Sequence, residues 1–263
     1  MKSTMLGAAL LAIAGLIPAT GAAQDAQTLK IATEPDYPPF EYRDTDGQLA
    51  GFDIDIGNEV CKRLARECAW VDQPFDSLIP GLQAHKFDLV NATMTATDAR
   101  RKIIDFSTPM YIVQVKLMVR KGSGLQPTAQ SLKGKRVGVQ QGTTMETYAR
   151  QEWAPQGVEI VSYPSHTNAF VAMASGRLDA TFQEAQSAVD GFLNKPEGAN
   201  FELVASPLDS PILNQPIAMG IRKGNPLKVE VDRALESMLA DGTLQGYARK
   251  YFAEGNIAFP GAR

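Results

Sequence analysis

The chain has 263 residues, with 26 Lys and Arg against 29 Asp and Glu, a formal charge of −3, two Cys and two His. A balance this near neutrality excludes the clustered positive charge that a nucleic-acid partner or a basic membrane patch requires. The two Cys and the two His (His85, His166) are scattered and form no metal-ligand spacing, so no metal and no cofactor is implied.

The opening residues set the compartment. Met1-Lys2 gives a positive start, residues 6–17 form an apolar run shorter than the roughly 20 residues a membrane span needs, and Gly21-Ala22-Ala23 are small. Residues 1–23 therefore read as a cleaved secretory signal peptide, with a single membrane anchor as the alternative. In an oxidising compartment Cys61 and Cys68, seven apart, can close a small loop; two buried free thiols are the other reading.

Short β-like and helix-like runs then alternate. Residues 29–33 suggest a strand, and Tyr37-Pro38-Pro39-Phe40 a loop, because proline restricts itself and its predecessor. Residues 53–66 carry Ile56, Val60 and Leu64 four apart, one stripe of an amphipathic helix. A short strand begins at 70–71, Asp76-Ser77 can cap a helix, and 87–90 is a further strand. A second unit begins after Tyr111 with a long β-like run at 112–120 and a loop-rich stretch at 126–134. The strand at 136–139 follows and is broken by Gln141-Gly142-Thr143-Thr144. The chain closes with helices at 227–240 and 243–252, separated by the stop signal Asp241-Gly242. Such alternation predicts α/β architecture with mostly parallel sheets.

Two internal echoes suggest that both units share one plan. Residues 82–89 parallel 173–180 when the Lys/Arg-apolar-Asp triplets are matched, which sets Thr93 opposite Glu184; residues 115–122 are echoed by 217–224. Two similar α/β units would bring the C-terminal ends of their strands face to face, where open sheets bind ligands.

One stretch carries the strongest chemical signal. In residues 93–103, hydroxyls, backbone N–H groups and Arg100 gather where a strand gives way to a helix, which makes an anion site. A guanidinium adds a two-pronged match to a carboxylate. On position alone, Arg100 can equally pair with Asp98 or Asp105.

Gly51-Phe52-Asp53-Ile54-Asp55-Ile56-Gly57-Asn58-Glu59-Val60-Cys61-Lys62-Arg63-Leu64 resembles the signature of the periplasmic amino-acid-binding proteins, solute-binding protein family 3. Phe75-Asp76-Ser77-Leu78-Ile79-Pro80, Thr95-Ala96-Thr97-Asp98-Ala99-Arg100, Gly142-Thr143-Thr144 and Asp241-Gly242-Thr243 extend the likeness over nearly the whole chain. It is nearest to the members that bind lysine, arginine and ornithine, or histidine. The resemblance implies a two-lobed periplasmic binding protein fold (type II), each lobe a mostly parallel sheet flanked by helices. Residues 24–112 and 217–263 would form the first lobe and 113–216 the second, with hinge crossings near 111–115 and 209–216.

It also implies roles. Arg100 and Thr95 match contacts to a ligand α-carboxylate, joined by Thr144 from the second lobe. Glu184 matches the acid that holds the α-ammonium, helped by the Ala92 carbonyl and Thr93. Tyr37 and Phe75 match aromatic walls, and Glu34, at the mouth of the cleft, the acid that meets a distal cation. Thr95 and Thr144 can also serve as helix caps, which use the same geometry. Met145 stands where these relatives have Gln, and Ala92 where they have Ser. The expected activity is binding of a basic L-amino acid by lobe closure, for the membrane permease of an ABC transporter, by a monomer. The alternatives are an enzyme resembling cyclohexadienyl dehydratase, or a binder of an opine or other guanidino compound.

Overall fold

The computed structural model describes residues 28–204, 208 and 210–259. The expected signal peptide (1–23) and Asp209 of the expected second crossing lie outside the described residues. In chain order the first elements are β1 (Leu29–Thr33), the small antiparallel sheet β2 (Asp36–Tyr37), β3 (Glu41–Arg43) and β4 (Leu49–Ala50), then α1 (Phe52–Arg63) and β5 (Cys68–Asp72). There follow α2 (Leu78–Gln83), β6 (Leu89–Val90), α3 (Asp98–Arg101), β7 (Asp105–Phe106) and β8 (Ile112–Val113). The middle of the chain holds β9 (Val115–Arg120), α4 (Ala129–Leu132), β10 (Arg136–Gln140), α5 (Thr144–Tyr148), β11 (Glu159–Tyr163) and α6 (His166–Ala174). After these come β12 (Ala180–Glu184), α7 (Ala185–Ala188), β13 (Phe201–Leu203), β14 (Gly220–Ile221), α8 (Leu227–Ala240), α9 (Thr243–Tyr251) and β15 (Ile257–Ala258).

Two five-stranded sheets result, in the orders β5-β1-β6-β14-β7 and β11-β10-β12-β9-β13. Each has one strand running against the other four: β14 in the first, antiparallel to β6 and β7, and β9 in the second, antiparallel to β12 and β13. Both reversed strands are the first that the chain lays down on arriving from the other sheet. Successive strand residues point to opposite faces, so Ile31 and Leu89 join one apolar cluster while Ala32 and Val90 join another. The second sheet splits its core in the same way, Leu117 and Val119 on one side and Met118 on the other. Both faces of each sheet are thus covered, which is what parallel strands require.

Local chemistry explains the helices that frame the site. α1 has Asp53 and Asp55 in its first turn and Lys62 and Arg63 in its last, charges that complement the helix dipole. Cys61 near its end is bonded to Cys68 of β5, seven positions on, closing a small loop. α8 buries Val231, Leu235 and Met238 and ends at Asp241, where Gly242 supplies the left-handed turn (φ +79°) before α9.

Some local expectations shift. The long run at 112–120 is two strands, because Ile112–Val113 pairs with Ile257–Ala258 whereas Val115–Arg120 pairs with β12 and β13. The loop-rich stretch at 126–134 contains α4, capped by Thr128, whose hydroxyl accepts from Ser131 N–H. Asp76-Ser77 ends a single 3₁₀ turn, Phe75–Ser77, and makes no side-chain cap for α2.

Candidate ligand-binding cleft

All six parallel strands that matter to the site end at it. After β1, β5 and β6 come Glu34, Phe75 and the pair Ala92-Thr93; after β10 and β11 come Thr143-Thr144 and His166, and β12 itself ends on Glu184. These residues, with Tyr37, Glu41, Thr95, Arg100, Gln140 and Met145, line one tightly filled cavity between the two sheets. Every residue expected at the site (Glu34, Tyr37, Phe75, Ala92, Thr93, Thr95, Arg100, Thr144, Glu184) lies on this one cavity.

Arg100 is half-buried and pairs with neither Asp98 nor Asp105. Asp105 is held instead by Lys223, at 2.8 Å. The Arg100 guanidinium donates to two carbonyls, Thr95 at 2.8 Å and Gly142 of the opposite sheet at 2.9 Å, and its face lies 5.4 Å from the Phe75 ring centre. Burial lowers its pKa to about 10, against the opposing pull of Glu184, so it stays charged at neutral pH. Gly142 fits here because it adopts φ +78° and because a Cβ would meet Asp76 at 3.1 Å across the cleft.

The capping residues are not those expected. Thr97 caps α3 by accepting from Arg100 N–H, and Thr143 caps α5 by accepting from Glu146 N–H. Thr95 and Thr144 are therefore free of that duty. The Thr144 hydroxyl donates to the Met145 sulfur at 3.3 Å.

The opposite pole is acidic. Glu184, at the end of β12, accepts a hydrogen bond from the Tyr37 hydroxyl of β2, and burial raises its pKa to about 7 against the opposing effects of that bond and of Arg100. Glu34 is buried and not at the mouth of the cleft: only 9% exposed, it accepts from Gln140 Nε2 at 2.6 Å. Burial raises it too to about 7, the Gln140 bond opposing and Asp36 adding to the rise. Glu41 accepts from the Thr93 hydroxyl at 3.0 Å, and burial together with neighbouring Asp53 pushes it well above the usual carboxylate range.

Thr93 sits in the left-handed region (φ +45°), unfavourable for a β-branched residue. Asp53 offsets that cost: its Oδ2 accepts from Thr93 N–H at 2.8 Å while its Oδ1 accepts from Tyr111 at 2.6 Å. Sequence reasoning missed Glu41, Gln140, Thr143 and His166. Gln140 is a polar residue ending an apolar strand, a local pattern that was within reach.

Comparison with known proteins agrees with this geometry. The chain is 42% identical over 228 residues to the histidine-binding periplasmic protein of Escherichia coli K12, covering 86% of this chain and 88% of that one. It is 40% identical over 255 residues to the lysine/arginine/ornithine-binding periplasmic protein of the same strain, covering 96% and 97%. Among solved structures, an ancestral arginine-binding protein bound to arginine superposes with a TM-score of 0.81 at 33% identity, over 87% of this chain and all of that one. The family of bacterial extracellular solute-binding proteins, family 3, matches residues 29–254. A two-lobed α/β chain with its polar residues gathered at facing strand ends thus belongs to the bacterial extracellular solute-binding proteins, family 3.

Proposed function

We propose that the protein binds a basic L-amino acid between its lobes and presents it to the membrane permease of an ABC transporter in the periplasm, after loss of residues 1–23. The observation that carries this reading is the division of charge in one cavity. At one pole stands Arg100, with no carboxylate partner among the described residues; the rest of the wall holds Glu34, Glu41 and Glu184. That division complements a molecule with one carboxylate and two cationic groups, and opposes glutamate or aspartate. Arg100, Thr95 and Thr144 take the carboxylate; Glu184, with Thr93 and the Ala92 carbonyl, takes the α-ammonium; Tyr37 and Phe75 flank the aliphatic stem; Glu34 takes the distal cation.

The lobes are taken as 24–112 with 217–263, and 113–216, closing about the two crossings near 111–115 and 209–216. Closure gains free energy from the ligand because contacts on both sides form together. The unit is taken to be a monomer. It is a binder and not an enzyme; the names of both curated relatives, which describe binding proteins, support that choice.

Titration calorimetry against a panel of amino acids should give micromolar or tighter binding, about −8 kcal/mol or more, for one or more of arginine, lysine, ornithine and histidine. Arg100→Ala should weaken it by about a hundredfold or more, as expected for loss of a charge-assisted pair. Unchanged affinity in that variant would remove the carboxylate assignment, and a panel response confined to acidic or apolar amino acids would remove the cationic end. Prephenate and arogenate should yield no aromatic product with the same preparation.

A further inference from the structure

The end of the cavity beside Glu34 is closed by a segment of the second lobe that follows β11. The Gln140 amide is shared between the Glu34 carboxylate at 2.6 Å and the Pro164 carbonyl at 3.3 Å. The Thr167 hydroxyl donates to Asp36 at 2.8 Å, and the His166 ring stacks on Tyr37 with centres 4.9 Å apart. Residues 164–167 thus lie directly against residues 34–37.

Within this segment His166 is 2% exposed, lines the same cavity as Glu34, and has a buried Nδ1 with no hydrogen-bond partner among the described residues. The buried carboxyls around it are matched: Glu34 by Gln140, Glu184 by Tyr37, Glu41 by Thr93. An unmatched ring nitrogen in a closed site is a standing cost that a ligand can remove. Burial holds the imidazole pKa at about 3, so the ring is neutral and one nitrogen can accept a hydrogen bond.

We propose that His166 is a specificity-determining residue whose unpartnered imidazole nitrogen accepts one N–H of the ligand's side-chain terminus while Glu34 accepts another, selecting a guanidinium over an ammonium. The inference rests on the reading of the cavity as a basic amino-acid site. A guanidinium spreads five N–H donors in a plane and is weakly hydrated, so it can serve two acceptors on opposite lobes at small desolvation cost. An ammonium is compact and strongly hydrated, and a neutral imidazole compensates less of what it loses.

The test is titration of arginine and lysine into the full protein, its His166→Phe variant and its His166→Asn variant, with thermal melting to confirm folding. The wild type should prefer arginine by about tenfold or more. His166→Phe keeps a ring without nitrogen and should lose most of that preference through arginine alone; His166→Asn, which keeps a polar acceptor, should retain most of it. If His166→Phe does not fold, His166→Leu replaces it as the nitrogen-free variant. An arginine-to-lysine ratio near one in the wild type, or one unchanged in the nitrogen-free variant, overturns the role of His166 while leaving the basic amino-acid site standing. Binding of neither amino acid by the wild type overturns both.

Discussion

Glu34 and Glu184 each sit near pKa 7 because burial penalises their charge, and a cationic ligand would reverse that penalty. Binding a cation then expels the protons these carboxyls carry below pH 7. Affinity for a basic amino acid should accordingly rise from pH 5 to pH 7.5, by at most about tenfold per pH unit for each carboxyl, and level off above. Calorimetry in buffers of different ionisation enthalpy would read the released protons directly; an affinity flat from pH 5 to 8 would contradict the assignment. The same shifts act on the ligand-free fold with the opposite outcome. A carboxyl raised on folding contributes stability that is full below its unfolded pKa and lost as pH climbs through about 7. His166, lowered on folding, contributes stability present above about 6.5 and lost towards pH 3. Between pH 6.5 and 8 the carboxyls dominate, so these groups should lower the melting temperature of the free protein across that interval.

Short as it is, α3 sets the direction of Arg100, and Thr97 holds its first turn. Thr97→Ala should cost about 1 kcal/mol of stability, the usual loss for a cap, and should also weaken binding, because Arg100 is a residue of that helix. A denaturant midpoint and a titration on the same sample would show whether the two losses go together; lost stability with intact binding would mean that the Thr95 and Gly142 carbonyls suffice to aim Arg100. Elements with a strong local pattern were legible in the sequence. The bounds of α8 follow from its apolar stripe and from Gly242, and those of β1 from its apolar run. The division of 112–120 was not legible, since nothing local says that Ile112–Val113 will meet the distant Ile257–Ala258. At the site, Arg100 stood out among the hydroxyls of a helix start, and Glu184 through the resemblance and its place opposite Thr93. Glu41 and His166 acquire their positions only when tertiary contacts, the second across the two lobes, bring them to the cavity, and no periodicity encodes that.

The two sheets share one strand order, with β6 and β12, and β14 and β9, in equivalent places, as the repeated segments at 82–89 and 173–180 and at 115–122 and 217–224 suggested. Similar lobes facing each other make a clamp whose halves meet through a few polar pairs: Tyr37 with Glu184, Glu34 with Gln140, Asp36 with Thr167 and Arg100 with the Gly142 carbonyl. Small-angle scattering should therefore show the radius of gyration falling when a basic amino acid is added; equal radii with and without ligand would argue against closure. The bridge from Arg100 to Gly142 has a kinetic meaning as well. If Arg100 takes the ligand carboxylate as proposed, the same side chain would also fasten the two sides of the cleft, and a bound molecule would leave only when that fastener opens. Residence time would then be governed by how often the lobes part, and ligands of quite different affinity would share one opening step. A permease that prises Gly142 away from Arg100 would release the cargo without having to compete for it.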